Sequence, residues 1–445
     1  MFDEFIENNK FKILDSLSEL IKIPSVSEEN NNTSYPFGKN CDDALNYVLN
    51  LGQSMGFKTK NIDGYCGYIE FGEGQELVGI IGHLDVVPAL EQDGWTTPPF
   101  SPSIRDGKLY GRGSIDDKGP VIASLYAMKA IMDTTKISKR VRLILGLNEE
   151  KSWKCIEHYK KAEEFPSIGF SPDANFPGIY AEKGIISVEL KTDFSINNFS
   201  ILEIDCKNNA LNVVPKYCSI TLKKLSNVTP PQCSENIKIQ ENNDIIKIES
   251  FGIAAHAAHP ELGNNAITNL IKFLIDNFET NHLSTLYNNG LFDTQSPRIF
   301  GTEKIIDESG ILTSNVADLD YKDSKLIIRI NLRVPVNTKL EYIKSKYDSF
   351  IDTKVLSTQE PLYIDKNSYL VKTLVNIFNK KTGMNEKPIT IGGGTYARAF
   401  DNFISYGATM PGDSDMCHQV DEFIEIDKLI LSSKIYAEAI YELAK

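Results

Sequence analysis

Apolar residues at Phe5, Ile6, Phe11, Ile13, Leu14, Leu17, Leu20 and Ile21 recur with the period of a helix. Pro24 closes that segment. A second helical pattern covers residues 42–55. Strand-like runs follow at 68–71 and 77–81, and then a polar stretch rich in glycine and proline at 93–113. Residues 121–132 again read as a helix. Residues 141–147 are continuously apolar, as a strand covered on both faces should be. Strands alternating with helices predict an α/β sheet with helices on both faces.

After Gly184 the texture changes. Residues 185–190, 219–222, 245–250 and 325–334 read as half-exposed strands, with helical patterns at 266–278 and 340–350. That is an α+β pattern. From Ser368 the first texture returns, with a helix to Lys381, a glycine-rich turn at 392–394 and a last helix at 427–443. The chain therefore predicts a discontinuous domain, residues 1–184 and 365–445, with a second domain, residues 185–364, inserted into it.

Composition narrows the function classes. Among 445 residues, 60 Asp and Glu outweigh 47 Lys and Arg, for a net charge of -13. An acidic chain of this kind argues against a nucleic-acid backbone or an anionic membrane as partner. The first residues, MFDEFIENNK, are acidic and lack the apolar core of a signal peptide. The seven cysteines form no C-x-x-C pair, so they read as reduced thiols and the chain as cytoplasmic.

The chemistry lies in a few short phrases. His83 follows an apolar strand in GHLDVVP, and Asp85 shares its face at i+2, where it can accept the second ring N–H. Asp116 and Asp117 are adjacent in GRGSIDDKGP. Such neighbours repel unless a cation neutralises them; one of them could equally cap the helix that follows. Asn148, Glu149 and Glu150 come directly after the apolar strand, where sites in α/β sheets gather. One glutamate there can bind metal while the other serves as general base. Asp173 in SPDAN and His418 in MCHQVDE follow turn residues, and Cys417 reads as structural.

In this order GHLDVVP, GRGSIDDKGP, NEE, SPD and HQVDE resemble the M20 family of co-catalytic metallopeptidases. The longer phrases SWKCIEHYKK, GFSPDANFPGIYAEKG and GGGTYAR are similar to its PepV-like, carnosinase-type dipeptidase branch. The resemblance implies a zinc-peptidase-like α/β catalytic domain with an inserted α+β lid. It also implies two divalent metal ions, zinc first, with manganese or cobalt as alternatives. His83 and Asp173 would hold one ion, Glu150 and His418 the other, and Asp116, joined to Asp117 by a cis peptide bond, would bridge both. Asp85 would orient His83, and Glu149 would be the general base. In the lid, His256 would polarise the scissile carbonyl, and Asn212 and Arg333 would bind the substrate carboxylate. Gly393 and Gly394 would offer backbone N–H groups.

The sequence departs from the family in the lid, with Asn208-Asn209 in place of two glycines and Ala254-Ala255 before His256. Lys151-Ser152 replaces the usual Thr-Gly after the acid pair. The activity expected is dipeptide hydrolysis. The alternatives are N-acyl amino acid deacylation on the same scaffold, or peptide binding without chemistry. Short-lid members of the family often take the lid histidine from a neighbouring subunit, whereas the insert at 185–364 is long enough for two lobes, as in PepV-like members, which implies a monomer.

Overall fold

A computed structural model describes residues 1–29, 34–207 and 209–445. The apolar run read at 141–147 is the strand Arg140–Gly146, buried along nearly its whole length at the centre of a mixed sheet. Leu77–His83 lies parallel beside it, followed by Ile168–Ser171 and Phe403–Ser405, also parallel. On the other side Cys66–Phe71 and Lys58–Ile62 continue the sheet antiparallel. The parallel strands all point the same way, so their carboxyl ends share one edge.

Helices cover both faces. Gly67 and Ile69 face Lys39–Ser54: a Cβ on Gly67 would meet Leu45 and Leu49, and one on Gly52 would meet Ile69. Tyr68 and Glu70 alternate to the opposite face. There they contact Arg142, which hydrogen-bonds Tyr159 of the helix Lys154–Ala162 at 2.8 Å. The helix Lys118–Thr134 is apolar almost all round, and it is buried accordingly. It meets Leu77–His83 at Gly82, where a Cβ would lie 2.6 Å from Val121. The first helical pattern proves to be two helices, Phe2–Asn8 and Lys10–Ile21. They break at Asn9, whose side-chain amide donates to the Phe5 carbonyl at 2.9 Å.

These elements form one compact unit, Met1–Tyr180 with Ile364–Ile389 and Thr395–Lys445. A second unit comprises Ala181–Tyr363 and Thr390–Gly394. The glycine-rich turn expected with 365–445 thus packs in the second unit. That unit contains two antiparallel four-stranded sheets. One runs in the order Thr313–Lys322, Lys325–Val334, Gly184–Asp193, Asp352–Gln359, and the other Phe199–Asp205, Tyr217–Lys224, Ile245–Phe251, Ile237–Asn242. Burial alternates along Ile245–Phe251, as the period of a half-covered strand requires. Ile186, Val188 and Leu190 of the first sheet and Ile220, Ile246 and Ile248 of the second belong to a single hydrophobic core. The two sheets are therefore joined by shared packing. No described helix is long and apolar enough to cross a membrane.

Candidate metal centre

The edge formed by the carboxyl ends of the parallel strands collects the acidic phrases. His83 ends Leu77–His83, Glu149 and Glu150 follow Arg140–Gly146, and Asp173 follows Ile168–Ser171. Asp116 arrives on the loop before Lys118–Thr134, and its peptide bond to Asp117 is cis. His418 sits on a loop in the left-handed region at φ 64°.

The side chains form two groups that share one carboxylate. His83, Asp116 and Asp173 make the first, and Asp116, Glu150 and His418 the second, with ligand atoms within 4.8 Å of one another in each. His83 Nε2 lies 3.1 Å from Asp116 Oδ1 and 3.5 Å from Asp173 Oδ2. His418 Nε2 lies 3.0 Å from Asp116 Oδ2 and 3.1 Å from Glu150 Oε1. Each oxygen of Asp116 thus faces a different histidine.

A metal ion fits this arrangement on two counts. Nδ1 of His83 bonds the Asp85 carbonyl oxygen at 2.9 Å, which assigns the ring proton to that nitrogen. Nε2 is then a buried lone pair with no hydrogen-bond partner among the described residues. It faces carboxylate oxygens, so a cation must stand between them, either a proton or a metal ion in its place. Two ligands at about 2.0–2.2 Å from a zinc-sized ion in tetrahedral geometry lie about 3.3–3.6 Å apart, close to the spacings found.

The titration behaviour points the same way. Burial opposes charge on His83, yet Asp116, Asp173 and Asp85 outweigh it and raise its pKa. Hydrogen bonds to Asp116 and Glu150 raise His418 to about 11. Burial, with the charge of Asp116 added, pushes Glu150 up to about 7 and raises Asp173. Asp116 moves the other way: burial resists, but both histidines hold it low. Glu149 belongs to neither ligand group. It is raised well above the carboxylate range, by burial first and then by the charges of Glu150, Asp173 and Asp85.

Two expectations need correction. The ring N–H of His83 goes first to the carbonyl of Asp85, while the nearer carboxylate oxygen stands off at 3.5 Å. The Asp85 carboxylate instead accepts the backbone N–H groups of Glu149 and Glu150, at 3.1 and 3.2 Å. Asp117 occupies the N-cap position of Lys118–Thr134 but makes no side-chain cap. Its Oδ2 accepts the backbone N–H of His83 at 3.1 Å.

The second unit gathers the remaining candidates. Val213 bridges to His256, and Ala257 N–H donates to the Asn212 carbonyl at 2.8 Å, so these two candidates lie side by side. Ala258 N–H donates to His256 Nδ1 at 3.3 Å. Arg333 reaches the Gly392 carbonyl at 3.1 Å and Asn331 Oδ1 at 2.9 Å, which places it against the turn holding Gly393 and Gly394. Asn209 ties the Asn212 loop by donating to the Val213 carbonyl at 2.8 Å, a contact glycine lacks. Asn208 lies outside the described residues.

Residues 79–442 match the profile of peptidase family M20/M25/M40. The chain belongs to that family. A Bacillus subtilis (strain 168) protein named "Putative dipeptidase YtjP" is 37% identical, with 98% of each chain covered. The "Beta-Ala-Xaa dipeptidase" of Lactobacillus delbrueckii subsp. lactis is 35% identical, over 100% of this chain and 98% of that one. The crystal structure of human carnosine dipeptidase 1 superposes with a TM-score of 0.62 at 14% identity, covering 99% and 98% of the two chains. That likeness shows the fold, a mixed sheet with helices. Membership of M20 implies use of divalent metal, and this M20 chain has the ligand groups to hold it.

Sequence reasoning missed the parts of this M20 site that act through the main chain. The Asp117 contact to His83 is one. A side-chain contact was missed as well: the Tyr396 ring is edge-on to both His83 and Trp153 at centroid distances of 6.1 and 5.1 Å. Tyr396 stood inside the quoted phrase GGGTYAR, but its spacing to His83 carries no signal.

Proposed function

We propose that this chain is a metal-dependent dipeptidase that hydrolyses the amide bond of short peptides with a free amino terminus. One observation carries the reading. Two ligand groups share the Asp116 carboxylate, and next in sequence to the ligand Glu150 stands Glu149, a half-buried carboxylate that belongs to neither. A ligand set alone would suit a structural metal; a spare base next to it suits hydrolysis.

His83 and Asp173 would hold one divalent ion, Glu150 and His418 a second, and Asp116 both. The donors are all nitrogen and oxygen, which suits zinc, manganese or cobalt. Bound there, the ions would supply Lewis acidity, polarising the scissile carbonyl and making a nearby water easier to deprotonate. Glu149 takes the proton from that water and returns it to the leaving amine. A general base so placed is worth about 10²–10⁴-fold. From the second unit, His256 would donate to the developing oxyanion, a contact that strengthens as the carbonyl becomes tetrahedral. Asn212 and Arg333 would bind the substrate carboxylate, with N–H groups of Gly393 and Gly394. We assign the second unit as the lid of a protein that acts as a monomer.

The test is a panel of Ala-Ala, β-Ala-His and N-acetyl amino acids, run after chelation with zinc, manganese and cobalt restored in turn. Dipeptide turnover that depends on metal supports the reading. Turnover confined to the N-acetyl compounds would make the chain a deacylase, and none with any metal would leave a binding protein.

A further inference from the structure

The loops that carry Asp116 and His418 meet at a buried ion pair outside the ligand set. Arg112 and Glu422 are 4% and 0% exposed. Glu422 Oε2 accepts from Arg112 Nη1 at 2.6 Å. Its other oxygen accepts the backbone N–H of Ile115 at 3.0 Å and of Asp116 at 3.3 Å. Arg112 Nη2 in turn donates to the His418 carbonyl at 3.4 Å, and its guanidinium lies 5.1 Å from the centroid of the Trp95 ring. Just outside, the strands Lys108–Tyr110 and Phe423–Glu425 pair antiparallel, with Tyr110 opposite Phe423. Two loops leave that ladder, one to Asp116 and one back to His418.

We infer that Arg112 and Glu422 are positioning residues for the metal centre, fixing the shared Asp116 carboxylate against His418. The inference rests on the metal-binding reading above. A buried ion pair is weak grounds for a gain in stability, because desolvation of both charges offsets their attraction. What this pair does supply is orientation. Glu422 holds the main chain of Asp116 while Arg112 holds that of His418, so one rigid link sets the spacing of two ligands. Asp116 serves both groups, so a slip there is felt at both. Residues that orient ligands in this way typically account for about 10–100-fold in metal affinity or activity.

The experiment separates positioning from mere structure by reading metal affinity in folded protein. Arg112→Met/Glu422→Leu removes both charges and leaves no unpaired ion. Zinc affinity is measured by competition with a chromophoric chelator, alongside circular dichroism and the melting temperature of the metal-free protein. The expected result is a folded variant whose zinc affinity falls about 10–100-fold. Affinity within twofold of the unaltered chain would overturn the inference. Should the double variant fail to fold, Glu422→Gln decides, since it keeps an oxygen for the two N–H groups while loosening Arg112. A loss of about 10-fold supports the positioning role, and unchanged affinity ends it. An unaltered chain that takes up no divalent ion would overturn the metal reading itself, a distinct outcome.

Discussion

The carboxylate of Asp85 accepts the backbone N–H of Glu149 at 3.1 Å, and its second oxygen accepts that of Glu150 at 3.2 Å. The Asp85 side chain therefore sets the direction of both glutamates, while the main-chain carbonyl of Asp85 fixes the His83 ring at 2.9 Å. Asp85→Asn separates these tasks. The amide keeps one oxygen for an N–H but turns an NH₂ toward the other, donor against donor. The carbonyl contact to His83 is untouched. We expect activity to fall about 10–100-fold, with a pattern of metal loss on graded chelation that follows Glu150→Ala and not His83→Ala. Mass spectrometry of the intact protein reads that pattern, and a match to His83→Ala would return Asp85 to the ring.

Glu149 and Glu150 are neighbours in sequence with different surroundings. Glu150 Oε1 lies 3.1 Å from His418 Nε2, inside a ligand group, whereas Glu149 is in neither group. Glu149→Ala should keep nearly full metal and lose about 10²–10⁴-fold in kcat. Glu150→Ala should lose metal at the second position. Equal metal loss in the two variants would show the roles to be wrongly divided.

Part of the candidate centre was legible in the sequence because three of its five candidate ligands stand at or just past strand ends, while Asp116 and His418 lie on loops. His83, Glu150 and Asp173 all lie where an apolar run stops, and the sheet edge does the rest. The strands Leu77–His83 and Arg140–Gly146 and the helix Lys118–Thr134 were legible as buried, predominantly apolar runs. Contacts made by main-chain atoms were not. Nothing in the spacing of His83 and Asp85 says that a carbonyl, and not the carboxylate, takes the ring proton. Nor does a pair such as Arg112 and Glu422, far apart in the chain, announce itself by pattern. In the second unit, Phe199–Asp205 and Asp352–Gln359 escaped because their burial is shallow and irregular. Where a strand buries little, hydrophobic periodicity has little to report.

Metal uptake should release protons. In the metal-free centre His418 keeps its proton up to about 11, held by Asp116 and Glu150, and Glu150 keeps its own up to about 7, held by burial. An ion can use those lone pairs only after the protons leave. Below about 7 Glu150 and His418 must both deprotonate; above it His418 still must, as must His83 to the extent that its neighbouring carboxylates hold its proton. Metal affinity is therefore expected to strengthen with rising pH, more steeply on the acid side of neutrality. Calorimetry in two buffers of different ionisation enthalpy counts the protons, at about pH 6 and about pH 8. More protons released at the lower value is the expected result. An affinity independent of pH would mean that these side chains are not the ligands.

One chain should suffice for catalysis. The M20 resemblance raises the alternative that the lid histidine acts across a subunit boundary, as in short-lid members of the family. Here the second unit is large, two four-stranded sheets on a shared core, and the His256 loop is fastened within it through Val213 and Asn212. A unit of that size has the material to complete the site without a partner. Two measurements decide. Specific activity should stay constant on dilution well below any plausible dimer Kd. Mixing His256→Ala chains with Glu149→Ala chains should restore nothing, because each chain lacks one half of its own chemistry. A dimer that exchanged lids would pair an intact His256 with an intact Glu149 in some of its sites. Recovered activity in the mixture would therefore place the histidine on the partner chain, and the monomer reading would fall with it.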